Sequence, residues 1–75
     1  MCLGVPGKVL KIMEYGVARV DVDGNQTDIS IKLTPEVKLG QFVLIHAGFA
    51  MEIIDQQVAE ETMYLLKELL QQSPE

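Results

Sequence analysis

The chain has 75 residues and a formal net charge of −5, from 6 basic and 11 acidic residues. A chain this short forms one domain with a thin core, since small domains bury only about 60% of the surface that their unfolded chains expose. The single cysteine excludes an intrachain disulfide, and one cysteine with one histidine is too few for the roughly four ligands of a structural zinc site. Hydrophobic residues make up 48% of the chain, so apolar packing must hold the fold together.

The chain shows no run of about 18 apolar residues and no basic-then-apolar leader at its start. We therefore expect a cytoplasmic protein with no membrane partner, in keeping with its lone thiol. The acidic balance weighs against nucleic-acid partners, because binders of this size are usually basic. The net negative charge is concentrated from Glu52 onward, where there are six acidic residues and one basic residue.

The first half of the chain predicts short β-strands. Residues 8–14 are a strand candidate that ends at Tyr15-Gly16, and residues 17–22 and 27–33 alternate apolar and polar side chains. Asp23-Gly24-Asn25 between them is a strong turn signal, so 17–33 is expected to form a β-hairpin. The side chains expected to face inward are Ala18, Val20, Val22, Ile29, Ile31 and Leu33.

Two further strands are predicted after a loop that runs from Thr34-Pro35 to Gly40. Residues 41–46 are apolar on both faces, which is typical of a strand covered on both sides. Gly48 breaks this run, and residues 49–54 form a fifth strand. Five short strands in so small a chain indicate a closed, OB-like β-barrel, because closure removes exposed sheet edges.

The spacing of apolar residues predicts one helix over residues 56–71, with Asp55 as its N-cap. The apolar stripe is wide enough either to pack on the barrel or to leave part of itself for another protein. It consists of Val58, Thr62, Leu65, Leu66 and Leu69, joined by Met63 and Leu70. The expected organisation is a single domain over 1–75, with a flexible N-terminal motif (1–7), the barrel (8–54) and the helix (56–71).

Cys2 is the first candidate for chemistry, because it precedes all regular structure in the segment Met1-Cys2-Leu3-Gly4-Val5-Pro6-Gly7. If the initiator Met1 is removed, the thiol and the α-amino group share one residue. The ammonium then favours the thiolate, which is the nucleophilic form and a soft metal ligand. The alternative interpretation is an ordinary residue at a chain terminus.

His46 is the second candidate, at the end of the predicted strand 41–46 on the same face as Phe42 and Leu44. A lone histidine at a strand end is more often structural than a ligand. If His46 lies near Cys2, the metal-ligand interpretation becomes the stronger one, since histidine is the commonest metal ligand. No other residues predict a catalytic site, and Gly4 to Gly7 lacks the context of a phosphate loop.

The opening Met-Cys-Leu-Gly-Val-Pro-Gly resembles the signature of the HypC/HupF family of [NiFe]-hydrogenase maturation chaperones. The resemblance continues through Gly16-Val-Ala-Arg-Val-Asp and residues 37–50 into the C-terminal helix, and so covers nearly the whole chain. It implies a small OB-type barrel with an added C-terminal helix. It also implies that the protein is not itself an enzyme. Finally, it implies a complex with the iron–sulfur protein HypD, in which an Fe(CN)₂CO unit is assembled and then delivered to the hydrogenase large-subunit precursor.

The same resemblance assigns the candidate site residues. The family's N-terminal cysteine matches Cys2 and its histidine matches His46, so these two are the expected iron contacts, with iron as transient cargo and no permanent cofactor. We expect the partner surface to combine the N-terminal segment with the neighbouring barrel face, with the C-terminal helix giving extra area. Its residues are Cys2, Leu3, Gly4, Val5, Pro6, Gly7 and Leu70.

Two other classes of function stay open on the residues alone. An OB-type nucleic-acid-binding module would need a basic groove with stacking aromatic residues, whereas this acidic chain has two Tyr and two Phe. A small thiol-transfer protein would use Cys2 as a nucleophile and would turn over with a reductant alone. A salt-dependent gel shift and a reductant assay distinguish these two from the maturation chaperone.

Overall fold

Five β-strands and one helix follow one another along residues 4–71, the part of the chain that the computed structural model describes. They are β1 (Val5–Met13), β2 (Val17–Val22), β3 (Asn25–Ser30), β4 (Phe42–His46), β5 (Phe49–Ile54) and α1 (Gln56–Gln71). The strands close into a barrel in the order β1-β2-β3-β5-β4. The predicted five-stranded barrel with a C-terminal helix is confirmed.

The barrel closes through one parallel contact among otherwise antiparallel pairs. β3 meets β5 in parallel at Ser30 and Phe49, and the Ser30 amide donates to the Gly48 carbonyl at 2.9 Å. All other neighbours are antiparallel. The β3–β5 closure is therefore the shortest of the strand pairings in the barrel.

Tight turns join β2 to β3 and β4 to β5. Their backbone angles explain which residues occupy the turns. Asp23 and Gly24 between β2 and β3 have φ of 51° and 91°, and Ala47 and Gly48 between β4 and β5 have φ of 55° and 83°. Two consecutive residues with positive φ are the requirement of a type I′ hairpin turn. The turn signal at Asp23-Gly24 is thus confirmed, and β3 begins at Asn25, two residues earlier than predicted.

The core lies inside the barrel and is built mainly from small β-branched side chains. Its buried members are Val9, Ala18, Val20, Ile29, Ile31, Val37, Val43 and Ala50, with Val22, Ile45 and Ile53 packed against them. The alternation predicted for the β2–β3 hairpin is confirmed except at its end. Leu33, predicted to face inward, is 57% exposed. The prediction is wrong because β3 ends at Ser30 and the Thr34 amide donates to the Ile31 carbonyl, which turns the chain away from the sheet.

β1 begins at Val5, three residues before the predicted strand. Val5, Pro6 and Gly7, assigned by sequence to a flexible segment, lie instead in the barrel wall opposite β4. Pro6 and Gly7 are both buried. The cause is tertiary: pairing with an apolar strand 36 or more residues further along the chain outweighs the local preference of proline and glycine for loops.

Helix α1 occupies the predicted residues and packs across β1 and β4. The Asp55 carbonyl accepts a hydrogen bond from the Ala59 amide at 2.9 Å, as expected of an N-cap residue. Only part of the apolar stripe is covered by the barrel. Ala59 is buried and Thr62, Met63 and Leu66 are half-buried, whereas Val58, Leu65, Leu69 and Leu70 are exposed. Within residues 4–71, no helix is long and apolar enough to cross a membrane.

Candidate functional site

The last three residues of the N-terminal motif form the start of β1, which pairs with β4. Val5 lies opposite Ile45, Pro6 opposite Leu44 and Gly7 opposite Val43. Continued by one residue, this antiparallel register brings Gly4 level with His46. Met1, Cys2 and Leu3 lie outside the described residues, so the predicted roles of Cys2 and Leu3 stay predictions.

Two glycines allow the motif to lie close against β4. A Cβ atom on Gly4 would overlap the Cγ atom of Leu44, and one on Gly7 would lie 2.6 Å from Ile45 Cδ1 and 3.2 Å from Val22 Cγ2. A side chain at Gly4 would require Leu44 to shift, and one at Gly7 would require the end of the Ile45 side chain to move. The motif has glycine at these positions because the neighbouring apolar side chains occupy the space of a side chain.

His46 ends β4 and is exposed. Its cross-strand partner is Phe49, on the other side of the Ala47–Gly48 turn. It follows Phe42 and Leu44 along one face of the strand, as the alternation predicted, while Val43 and Ile45 contribute to the core. His46 thus follows Ile45, the β4 residue that pairs with Val5 of the motif.

Sequence analysis missed a groove between α1 and the barrel, here called the α1 groove. Its volume is about 400 Å³. It is lined by Pro6, Gly7, Lys8, Asp21, Asp23, Phe42, Ala59, Glu60, Met63, Tyr64 and Lys67. An ion pair crosses it, with Lys67 Nζ 2.9 Å from an Asp23 carboxylate oxygen. The charged partners on the helix and on the hairpin turn were visible in the sequence, but nothing local indicated that they meet.

A second ion pair fixes the outer face of the β2–β3 hairpin. Arg19 lies opposite Asp28, and its Nε donates to Asp28 Oδ1 at 2.8 Å while its Nη2 donates to Oδ2 at 3.3 Å. The hydrogen bond from Arg19, with the positive charge of that residue, lowers the pKa of the Asp28 carboxyl below its ordinary value. The pair is exposed. We interpret it as a structural contact within the hairpin and not as part of a functional site.

Between Gly4 and Gln71, no group of three or more histidine, cysteine, aspartate or glutamate side chains is placed to hold a metal ion. Of the predicted contact residues, the structure describes His46, Gly4, Val5, Pro6, Gly7 and Leu70. Val5, Pro6 and Gly7 lie in the β1–β4 pair, Gly4 directly precedes β1, and His46 ends β4. Leu70 lies on the last turns of α1 with 84% of its surface exposed.

The fold and the motif strand define a small five-stranded barrel protein with an appended C-terminal helix. The family model for HupF/HypC matches residues 1–66, and the chain therefore belongs to the HupF/HypC family. The match includes the N-terminal motif, all five strands and the first two thirds of α1.

Several characterised relatives align over most of their length. Hydrogenase maturation factor HybG of Escherichia coli K12 is 44% identical over 75 residues, covering 92% of each chain. Hydrogenase maturation factor HypC of Synechocystis is 38% identical, covering 92% of this chain and 97% of its own. HypC of Escherichia coli K12 is 35% identical over the whole of this chain and 89% of its own.

Proposed function

We propose that this chain is a hydrogenase maturation factor that carries an Fe(CN)₂CO unit together with a HypD-type iron–sulfur protein. It then delivers the unit to the precursor of a [NiFe]-hydrogenase large subunit. Membership of the HupF/HypC family and the names of the relatives support the maturation role. In this role the chain binds and hands over cargo and catalyses no reaction of its own.

The observation that carries the proposal is the register of β1 on β4. Val5 pairs with Ile45, and the same register continued by one residue would set Gly4 opposite His46. Two residues of extended chain span at most about 7 Å, so Cys2 is tethered within that distance of Gly4. We propose that Cys2 and His46 contact one metal ion together, since thiolate and imidazole both bind iron.

The number of ligands suits transfer better than storage. Low-spin iron carrying cyanide and carbonyl is soft enough to bind a thiolate. The chain has one cysteine and one histidine, so it can offer at most one thiolate and one imidazole to the cargo. A unit held by two protein ligands dissociates more readily than one enclosed by four, which a carrier requires.

We propose that the partner surface combines the motif strand with the exposed edge of α1. A specific interface needs about 800 Å² per partner, and a chain of this size has little surface to spare. Residues Val58, Leu65, Leu69 and Leu70 supply exposed apolar area on the helix. Glu61 and Glu68 lie beside that area and favour a partner with basic residues around an apolar depression.

Replacement of Cys2 tests the proposal directly. The Cys2→Ala protein is expected to unfold at the same temperature as wild type and to abolish hydrogenase maturation in cells that depend on it. Cys2→Ser is expected to fail almost as completely, because a hydroxyl stays protonated near neutral pH and is a poor ligand for soft iron. Hydrogenase activity that survives in Cys2→Ala, or a Cys2→Ala chain that does not fold, refutes the role assigned to this residue.

A further inference from the structure

We propose that the α1 groove binds an arginine side chain of a partner protein. The inference rests on the proposed function in that a maturation partner supplies the arginine, and it adds a recognition site to that function.

The groove is large enough to hold one long side chain. Pro6 on β1, Phe42 on β4 and Met63 on α1 give it apolar walls, and its volume is about 400 Å³. Ala59 is buried at the point where α1 meets the barrel, so a small residue leaves this space open. A side chain with several methylene groups would cover the walls and displace water from them.

The rim of the groove carries a surplus of negative charge. Three carboxylates, on Asp21, Asp23 and Glu60, face two ammonium groups, on Lys8 and Lys67. Lys67 is bound to Asp23 at 2.9 Å, and Lys8 lies opposite Asp21 in the β1–β2 pair. Among the described residues Glu60 forms no ion pair, and its carboxylate accepts a hydrogen bond from Gln56. An apolar wall under a carboxylate that forms no ion pair is complementary to a cation on a long apolar stem.

Arginine fits this environment better than lysine. Phe42 and Tyr64 both line the groove, and a guanidinium group stacks on aromatic rings while it hydrogen-bonds a carboxylate. It is also more weakly hydrated than an ammonium group, so its transfer into a partly apolar groove costs less.

The position of the groove links it to the N-terminal motif. Pro6 and Gly7 belong both to the motif strand and to the groove lining. An arginine seated there would therefore contact the strand that leads directly to Cys2. It would fix the partner in register with the cysteine, which gives the groove a role in positioning rather than in holding the iron.

The test uses the full chain, labelled with ¹⁵N, and no partner or iron. N-acetyl-arginine N-methylamide is titrated while backbone amide shifts are recorded by NMR. Saturable shifts are expected at Lys8, Asp21 and Met63, with a dissociation constant on the order of 1 mM for a ligand of this size. N-acetyl-norleucine N-methylamide, which has the apolar stem without the cation, is expected to give no saturable shifts.

Two neighbouring variants provide a matched control. Glu60 accepts a hydrogen bond from Gln56 and Glu61 from Gln57, but only Glu60 lines the groove. Glu60→Gln is expected to weaken binding of the arginine probe by about threefold, as for a partly exposed ion pair, and Glu61→Gln to leave it unchanged.

The inference is overturned if the arginine probe gives no saturable shifts, or if the norleucine probe saturates equally, which would indicate an apolar occupant. It is also overturned if Glu60→Gln and Glu61→Gln weaken binding of the arginine probe equally. Because the experiment contains neither iron nor partner, its failure leaves the Cys2 experiment to decide the maturation role, and failure of the Cys2 experiment leaves this result standing.

Discussion

His46 is expected to contribute to maturation less than Cys2 does. It is exposed at the end of β4, so His46→Ala should change the unfolding temperature little while lowering hydrogenase maturation without stopping it. The imidazole either makes a second, weaker contact to iron or holds the N-terminal segment by a hydrogen bond. His46→Gln separates the two, because an amide retains hydrogen bonding but is a poor iron ligand.

Maturation activity measured in cells, beside the unfolding temperature of each purified variant, decides between these roles. Recovery in His46→Gln but not in His46→Ala indicates the hydrogen-bonding role, and equal loss in both indicates the contact to iron. Wild-type maturation activity in His46→Ala would show that His46 has only a structural role.

The Asp28 carboxyl gives a prediction on pH. Its pKa in the folded chain lies below the ordinary value of 3.8, chiefly because of the hydrogen bond from Arg19. A group with a lowered pKa stabilises the fold at pH values above its ordinary pKa, and this contribution is lost as the pH falls through the folded-state pKa. The effect on stability is small because the pair is exposed, so the titration itself is the better observable.

In Arg19→Gln the pKa of Asp28 is expected to rise toward 3.8, as measured by carbon-13 NMR of the carboxyl group. Lys11→Gln is the control, since Lys11 acts on Asp28 only through its charge and more weakly than Arg19. A larger rise in Lys11→Gln than in Arg19→Gln would show that the hydrogen bond does not dominate.

At the scale of elements, α1 has one covered and one uncovered part, and a pair of leucines distinguishes them. Leu66 is half-buried against the barrel, whereas Leu70 is 84% exposed. Leu66→Ser is expected to lower the free energy of unfolding by about 1–2 kcal/mol, as for a partly buried leucine. Leu70→Ser is expected to leave the melting temperature nearly unchanged and to weaken partner binding.

Calorimetric titration of the HypD-type partner and thermal unfolding together measure this difference. Truncation after Asp55 is expected to lower stability and binding at once, because it removes both parts of the helix. If the Leu70→Ser variant and the corresponding variants at Leu65 and Leu69 all bind the partner with wild-type affinity, the exposed edge of α1 has no docking role.

Elements whose signals are local could be predicted from the sequence. The β2–β3 hairpin has alternating side chains and an Asp-Gly turn, and α1 has an N-cap and a helical period, so their bounds lie within two or three residues of those expected. The start of β1 was missed because Pro6 and Gly7 favour loops locally and become a strand only through pairing with β4. Leu33 was misplaced because alternation cannot show where a strand stops.

The candidate site shows the same division between local and tertiary information. The N-terminal motif and His46 were recognised from residue type, position and the resemblance to a family. The β1–β4 register, which continued by one residue would set Gly4 opposite His46, is specified by no local pattern. The α1 groove was missed for the same reason, since its walls come from β1, β2, β4 and the helix.

Over the whole molecule, the net negative charge and the candidate iron contacts lie in different parts of the sequence. All of the net negative charge arises from Glu52 onward, where there are six acidic residues and one basic residue, whereas the candidate iron contacts are Cys2 in the N-terminal motif and His46 at the end of β4. Electrostatic attraction through α1 would orient a basic partner before the motif engages it. Its share of the affinity should fall as salt rises, because exposed charges are screened over about 8 Å at physiological ionic strength.

The central claim is that Cys2 holds the Fe(CN)₂CO unit, and infrared spectroscopy of the purified complex tests it most directly. The wild-type chain and the Cys2→Ala chain are each co-purified with the HypD-type protein from cells making hydrogenase, and iron content is measured beside the cyanide and carbonyl stretching bands. The wild-type complex is expected to show both sets of bands. In the Cys2→Ala sample those bands should be lost or shifted, while the chain itself stays folded. Identical bands and iron content in the two samples would contradict the claim.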